Sequence, residues 1–190
     1  MVALGVFGLA ILAMIGLFLP AAKSVTANAE AEAASRVAEA LLTRLRALPL
    51  DTVGSYLKTE AQLQTENARP DYNPATDDKV FFASLAGDKI GRRSETAIWT
   101  NGNVDKFFEI ALVRNATLSP EPASSGTGSS ASASVDPSAL WLAFTIRVRW
   151  PMFQPTAAGG AVQVGALPTA RVPFDHSQKQ VLFFAGSVRR

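Results

Sequence analysis

The chain contains no cysteine and a single histidine among its 190 residues. Without cysteine there is no disulfide framework and no thiolate metal site. The absence leaves the compartment open, because a cysteine-free chain can live in an oxidising periplasm without mispairing. The histidine, His176, stands beside Asp175 in the stretch FDHSQ. A Ser-His-Asp arrangement would borrow Asp175 and a serine, yet no nucleophile elbow is present and neighbours in sequence do not make a triad. H-E-x-x-H, a P-loop and a G-x-G-x-x-G following a strand are also lacking. The chain is therefore read as a non-enzyme with no catalytic residue. Concentrated charge is missing too. The formal net charge is +2, and the basic residues fall in pairs (Arg92-Arg93, Arg147 and Arg149, Arg189-Arg190) instead of tracts. Nucleic-acid binding needs a concentrated basic face, so nucleic acid is excluded as a partner.

The most informative feature present is apolar. Met1 to Leu19 carry no charge, and the first charged residue is Lys23. At about 1.5 Å per residue, this stretch makes a rod of about 30 Å, the hydrocarbon thickness of a bilayer. A cleaved signal peptide would show a basic start and a shorter apolar run, although Ala27-Asn28-Ala29 has the form of a cleavage site. A buried core helix would be shorter and less uniform. Residues 1–20 are thus expected to span a membrane or form a helical core. Leu4, Gly5, Phe7, Leu9, Ile11, Leu12, Ile15, Leu17 and Phe18 would supply the apolar surface, and Pro20 would bend or loosen the helix. Gly5, Gly8 and Gly16 permit close helix approach but form no strict G-x-x-x-G.

From residue 21 the pattern changes without a break. Residues 21–49 are rich in Ala, Glu, Arg and Leu. Ala34, Val37, Leu41, Leu45 and Leu48 recur at three- and four-residue steps, which places them on one helical face. Val37, Leu41, Leu45 and Leu48 are the expected helix–sheet packing residues. Glu32 and Arg36 are spaced for an i,i+4 pair in the favourable order, and Pro49 ends the pattern. Together with the apolar run this makes one helix of nearly 50 residues, roughly 70 Å long.

Residues 50–190 are expected to form a β-rich globular domain. Leu50 to Asp78 is polar and irregular. Four apolar runs follow: Lys79–Leu85, Phe107–Arg114, Leu140–Trp150 and Gln180–Ala185. In the third, Phe144, Ile146, Val148 and Trp150 alternate with Thr145, Arg147 and Arg149, the pattern of a strand with one polar, solvated face. Arg147 and Arg149 are there expected to be solvated or paired with acids of a neighbouring subunit. Ala86-Gly87-Asp88 reads as a turn. The fold class is α+β, with the long helix laid on a small antiparallel sheet. Residues 117–138 are Ser/Ala/Gly/Pro-rich and read as a flexible surface loop; Pro151 to Pro173 is a second irregular stretch. No cofactor is expected. Asp71, Asn73, Asp77 and Asp78 are the one oxygen-rich cluster of the kind calcium favours, without the spacing of an EF-hand.

Ala3-Leu4-Gly5-Val6-Phe7, within the run MVALGVFGLAILAMIGLFLPAAKSV, resembles the interior of a prepilin-type N-terminal segment. The subclass is the one with an alanine-leucine-glycine motif, as in type IV pilin-like proteins and pseudopilins. FTIRVRWP (Phe144–Pro151), followed by a final apolar strand, resembles the sheet of minor pseudopilins and of the pilin-like cassette proteins of verrucomicrobial genomes. Members of the family begin with a basic leader and place a glutamate five residues into the mature chain. Here Gly5 holds that place, and aligning Ala3-Leu4-Gly5 puts Met1 inside the mature helix, so the leader and glutamate are expected upstream. The resemblance implies a structural or minor subunit of a type IV pilus-like filament or of a type II secretion-like pseudopilus. Its partners would be other pilin-like subunits, an inner-membrane assembly platform and a prepilin peptidase. It would wait in the inner membrane through a single pass in the lipid bilayer, with its domain outside, and pack through the helix in the filament. The alternative is a membrane-anchored extracytoplasmic binding domain that does not polymerise.

Overall fold

The computed structural model describes residues 2–69, 72–99, 105–115, 117–118, 141–152 and 179–189, and the side chains of 2–13 and 15–20 are outside the description. Helix α1, Val2–Arg46, joins the apolar and amphipathic halves and continues through Pro20. Arg44 and Arg46 occupy its last turn, where cations meet the negative end of the helix dipole. Ala33, Ala34, Val37, Ala38, Leu41 and Leu45 are buried on one face, as the three- and four-residue spacing predicts. Leu48 departs from that expectation. The helix has ended at Arg46, ahead of Pro49, so Leu48 leaves the stripe and is only partly buried at the core's margin. Residues before a proline are pushed out of helical geometry, which accounts for the early stop.

Leu50 to Asp78 is more ordered than its composition suggests. It holds helix α2 (Leu50–Tyr56), the two-residue strand β1 (Leu57–Lys58) and helix α3 (Glu60–Ala68). The start of α3 is fixed by a capping box: the Thr59 hydroxyl accepts from the Gln62 N–H, and the Gln62 side chain accepts from the Thr59 N–H. Two orphan donors are satisfied reciprocally.

The remaining strands are β2 (Val80–Ala83), β3 (Ile90–Arg92), β4 (Phe108–Arg114), β5 (Trp141–Trp150) and β6 (Gln180–Arg189). They lie in the order β3-β2-β4-β5-β6, every neighbouring pair antiparallel. β1 pairs with β4 in parallel, Leu57 opposite Leu112 and Lys58 opposite Val113. Because β5 already occupies the other edge of Leu112 and Val113, β1 extends the edge that β2 begins. The sheet is thus six-stranded, with two short strands beyond the four expected runs. The β2–β3 turn passes through Gly87 at φ 75, a conformation glycine adopts without steric cost.

Side chains alternate between two covered layers. Phe81, Ala83, Phe108, Ile110, Leu112, Leu142, Phe144, Ile146, Val148, Trp150 and Val188 pack against α1, Val53 and Leu57. The opposite face was expected to be polar and solvated. Instead Leu63 of α3 covers Ala111 and Val113, while Ala75, Trp99 and Met152 cover Val80 and Phe82. Cover on both faces at the centre of the sheet explains why every residue of β4 is buried, Glu109 included, while β6 at the edge keeps an exposed outer face.

Candidate assembly surface

Two parts of the chain stand apart from ordinary core packing: the projecting part of α1 and the charged outer face of the sheet. Near the start of its docked part, α1 is held by a hydrogen bond of 2.9 Å from the Trp150 indole N–H to the Glu30 carboxylate. Among the described side chains of the helix the first buried one is Ala33. Toward the N-terminus residues 21–26 are exposed, Val25 at 69%, and Met14 is exposed as well. The helix thus has a docked end and a projecting end, with Glu30 at the border. Among the described residues no helix is long and apolar enough to cross a membrane. Of the expected assembly residues Leu4, Gly5, Phe7, Leu9, Ile11, Leu12, Ile15, Leu17, Phe18 and Pro20, the backbone is helical and the side chains lie outside the described set.

On the outer face, Glu109 of β4 is 1% exposed and opposes Arg149 in register. One of its oxygens accepts from Arg149, and the other accepts from Lys179 at 2.7 Å. Asn67, at the end of α3, accepts a further bond of 2.8 Å from Arg149. Burial alone would raise the Glu109 pKa. The two cations outweigh it and hold the carboxyl near 2. Arg147, next on the same face, is 7% exposed, and its Nε has no hydrogen-bond partner. Desolvation first, and then the neighbouring Arg149 charge, lower its pKa. This corrects the expected solvation of Arg147 and Arg149, and for Arg149 the expected acid of a neighbouring subunit. Neither is solvated, and Arg149 finds its acid within its own chain because β4 brings Glu109 opposite it.

Another buried cation tightens the same layer. Lys58 is 1% exposed and donates to both Glu66 oxygens at 2.7 and 2.8 Å, to Asp77 at 2.5 Å and to the Tyr72 hydroxyl at 3.2 Å. Burial would raise the Asp77 pKa, but the Lys58 hydrogen bond leads the effects that bring it below the usual range. Burial and then the Asp77 charge raise that of Tyr72. A shallow groove beside this cluster is lined by Lys58, Ala61, Gln62, Thr65, Glu66, Asp77 and Lys79.

These contacts reassign the proposed calcium ligands. The Asn73 side chain caps the short 3-10 turn at Pro74–Thr76 by accepting from the Ala75 N–H. Asp77 is taken up by Lys58, Tyr72 and the Lys79 N–H. Asp78 is exposed, and Asp71 lies outside the described residues, as do Asp175 and His176. Among the described residues no group of three or more His, Asp or Glu side chains is placed to hold a metal ion. Only residues 117 and 118 of the expected loop at 117–138 are described, and they form a turn.

Val37, Leu41 and Leu45 meet the sheet as the spacing requires. The Glu30–Trp150 bond, the Glu109 cluster and the Lys58 cluster were not foreseen. The signals available were a lone acid inside the apolar run FFEIALVR and a lone lysine beside the capping box of α3. Comparison of the chain with protein-family models, with curated proteins and with solved structures finds no match.

Proposed function

We propose that this protein is a structural or minor subunit of a type IV pilus-like filament or a type II secretion-like pseudopilus. Its domain is carried outside the inner membrane on the projecting end of α1. The supporting observation is the division of that one helix. Ala33 to Leu45 are clamped to the sheet, while the described residues ahead of Glu30 are largely exposed and the sequence ahead of Pro20 is wholly uncharged. An apolar helix held away from its own domain must find lipid or other apolar helices, because exposed apolar surface of that extent is costly in water. Lipid serves before assembly and the helices of neighbouring subunits serve afterwards. Exchange between the two conserves the burial of the apolar surface.

The test is co-expression of the full gene with a pilin assembly platform, its ATPase and prepilin peptidase, followed by shearing and sedimentation. Recovery of the chain in a filament fraction, with an N-methylated N-terminus by mass spectrometry, is the expected result. A chain that stays in the membrane fraction with an unmodified N-terminus overturns the proposal and leaves a membrane-anchored domain.

A further inference from the structure

We propose that the outer face of the β5–β6 hairpin docks the exposed stripe of α1 from a second copy of this chain, with Arg147 receiving the Glu32 carboxylate. This rests on the filament reading and adds which surfaces meet. The first observation is a missing acid. Both Glu109 oxygens are occupied, by Arg149 and by Lys179. Arg147 shares their buried face, and its Nε is without a hydrogen-bond partner. Glu109, and after it Glu66 and Glu60, act on it through charge alone and without a hydrogen bond, against burial and the repulsion of Arg149. A guanidinium does not shed its proton in a protein, and a buried cation is costly unless paired. The site therefore calls for a carboxylate brought from outside.

The second observation is the apolar surface beside it. β6 is the edge of the sheet among the described residues. Phe183 lies opposite Arg147 and Val181 opposite Arg149, and these two side chains are 62% and 41% exposed. Burying an aromatic ring next to a desolvated charge pair is the usual make-up of an interface centre.

The matching surface is on the same chain. Val25, Ala29 and Glu32 follow one another at four- and three-residue steps, so they share one helical stripe. All three are exposed. Their stripe lies away from the face formed by Val37, Leu41 and Leu45, which packs on the sheet. Glu32 is 73% exposed in its side chain, and among the described residues its ion pair is a 3.9 Å contact with the similarly solvated Arg36, a geometry that contributes little. Val25 to Glu32 rises about 10 Å along a helix, and Val181 to Ala185 covers about 13 Å along a strand. A carboxylate at Arg147 thus sets the small Ala29 over the Phe183 ring. The two surfaces are different patches of one molecule. Pairing them is heterologous: in a bound pair one copy retains its sheet face and the other its helix stripe, so the contact repeats from copy to copy, and in the filament reading it does so without closing.

The absence of cysteine makes cross-linking free of background. Full-length Ala29→Cys and Phe183→Cys chains are co-expressed with the assembly machinery and oxidised in membranes and in the sheared fraction. A mixed disulfide needs Cβ atoms about 4 Å apart, so it reports contact and not mere proximity. The expected result is a covalent dimer from the mixed single variants and a ladder from the double variant. Arg147→Glu should lower the cross-linked fraction at least tenfold, with recovery when the partner carries Glu32→Arg. Absence of the dimer overturns the interface, whether or not filaments are recovered. Filaments without the dimer leave the filament reading standing on another surface. Dimers without longer species support the contact and count against the polymer.

Discussion

Protonating or removing the carboxylate of Glu109 should cost the domain a large part of its stability. The carboxyl has an ordinary pKa of 4.5 and is held near 2 in the fold by Arg149 and Lys179. A depression of that size corresponds to about 3 kcal/mol of stability contributed by the ionised form. The folded-state pKa lies below the unfolded one, so this contribution is fully present above about pH 4.5 and is lost as pH falls toward 2. The figure agrees with the cost of about 3–5 kcal/mol for removing one partner of a buried pair, and it is a substantial fraction of the roughly 5–15 kcal/mol that holds a domain folded. Glu109→Gln keeps the shape and one acceptor while leaving Arg149 and Lys179 without their counter-charge. Urea unfolding of the full chain in mild detergent, followed by tryptophan fluorescence from pH 7 to pH 2.5, reads the effect. The native chain should lose about 3 kcal/mol across the acidic limb. Glu109→Gln should start about 3 kcal/mol lower at pH 7 and fall less steeply. A variant within about 1 kcal/mol of the native chain at pH 7, with an unchanged acid slope, would refute the assignment of Glu109 as the anion of this cluster.

Two further substitutions test the layers on either side. Gly186 of β6 faces the Phe144 ring so closely that an added Cβ would lie 2.5 Å from Phe144 Cε2 and 3.0 Å from Cζ. Gly186→Ala should therefore cost about 1–3 kcal/mol through overpacking, measured as a lowered urea midpoint with an unchanged m-value. Lys58→Met keeps the aliphatic stem but strands Glu66 and Asp77 against each other. Because these acids are partly exposed, a loss of about 2 kcal/mol is expected at pH 7. The difference from the native chain should shrink as pH falls through the carboxylate range, since the Asp77 pKa is depressed in the intact cluster. A pH-independent difference would assign the loss to packing alone.

Periodicity carries information about what one face of an element touches, and the legible parts of this fold are those where one face decides. The α1 stripe at Val37, Leu41 and Leu45 and the inward residues of β5 are such cases. The second face of the sheet is not. Alternation along Thr145, Arg147 and Arg149 describes a polar face equally well whether water or α3 lies over it. Only the cross-strand register that sets Glu109 opposite Arg149 decides between them. α2 and α3 escape a search for apolar stripes because each buries few side chains, in α3 only Leu63. The capping box at Thr59 and Gln62 was the local signal for α3. β1 and β3 span two and three residues, too short for alternation to register. The Glu30–Trp150 bond joins residues separated by 120 positions, and nothing local to either residue foretells it.

The seam between α1 and the sheet has the properties a load-transmitting joint requires. Alanines at 33, 34 and 38 let the helix approach closely, while Val37, Leu41 and Leu45 are fully buried between them. Val37 Cγ2 lies 3.3 Å from the position a Cβ would take on Gly87, so the β2–β3 turn closes against the helix at that point and a side chain there would obstruct its seating. Burial of Val37, Leu41 and Leu45 alone is worth about 5–9 kcal/mol at the usual value per side chain, comparable to the total stability of a small domain. Separating helix from sheet is then about as costly as unfolding the domain. A pull or push on the projecting end would reach the sheet before the joint gave way. In a filament subunit this is the feature that allows packing of the N-terminal helices to fix the positions of the domains, and Glu30, bonded to Trp150 at the edge of the seam, marks where that rigid coupling begins.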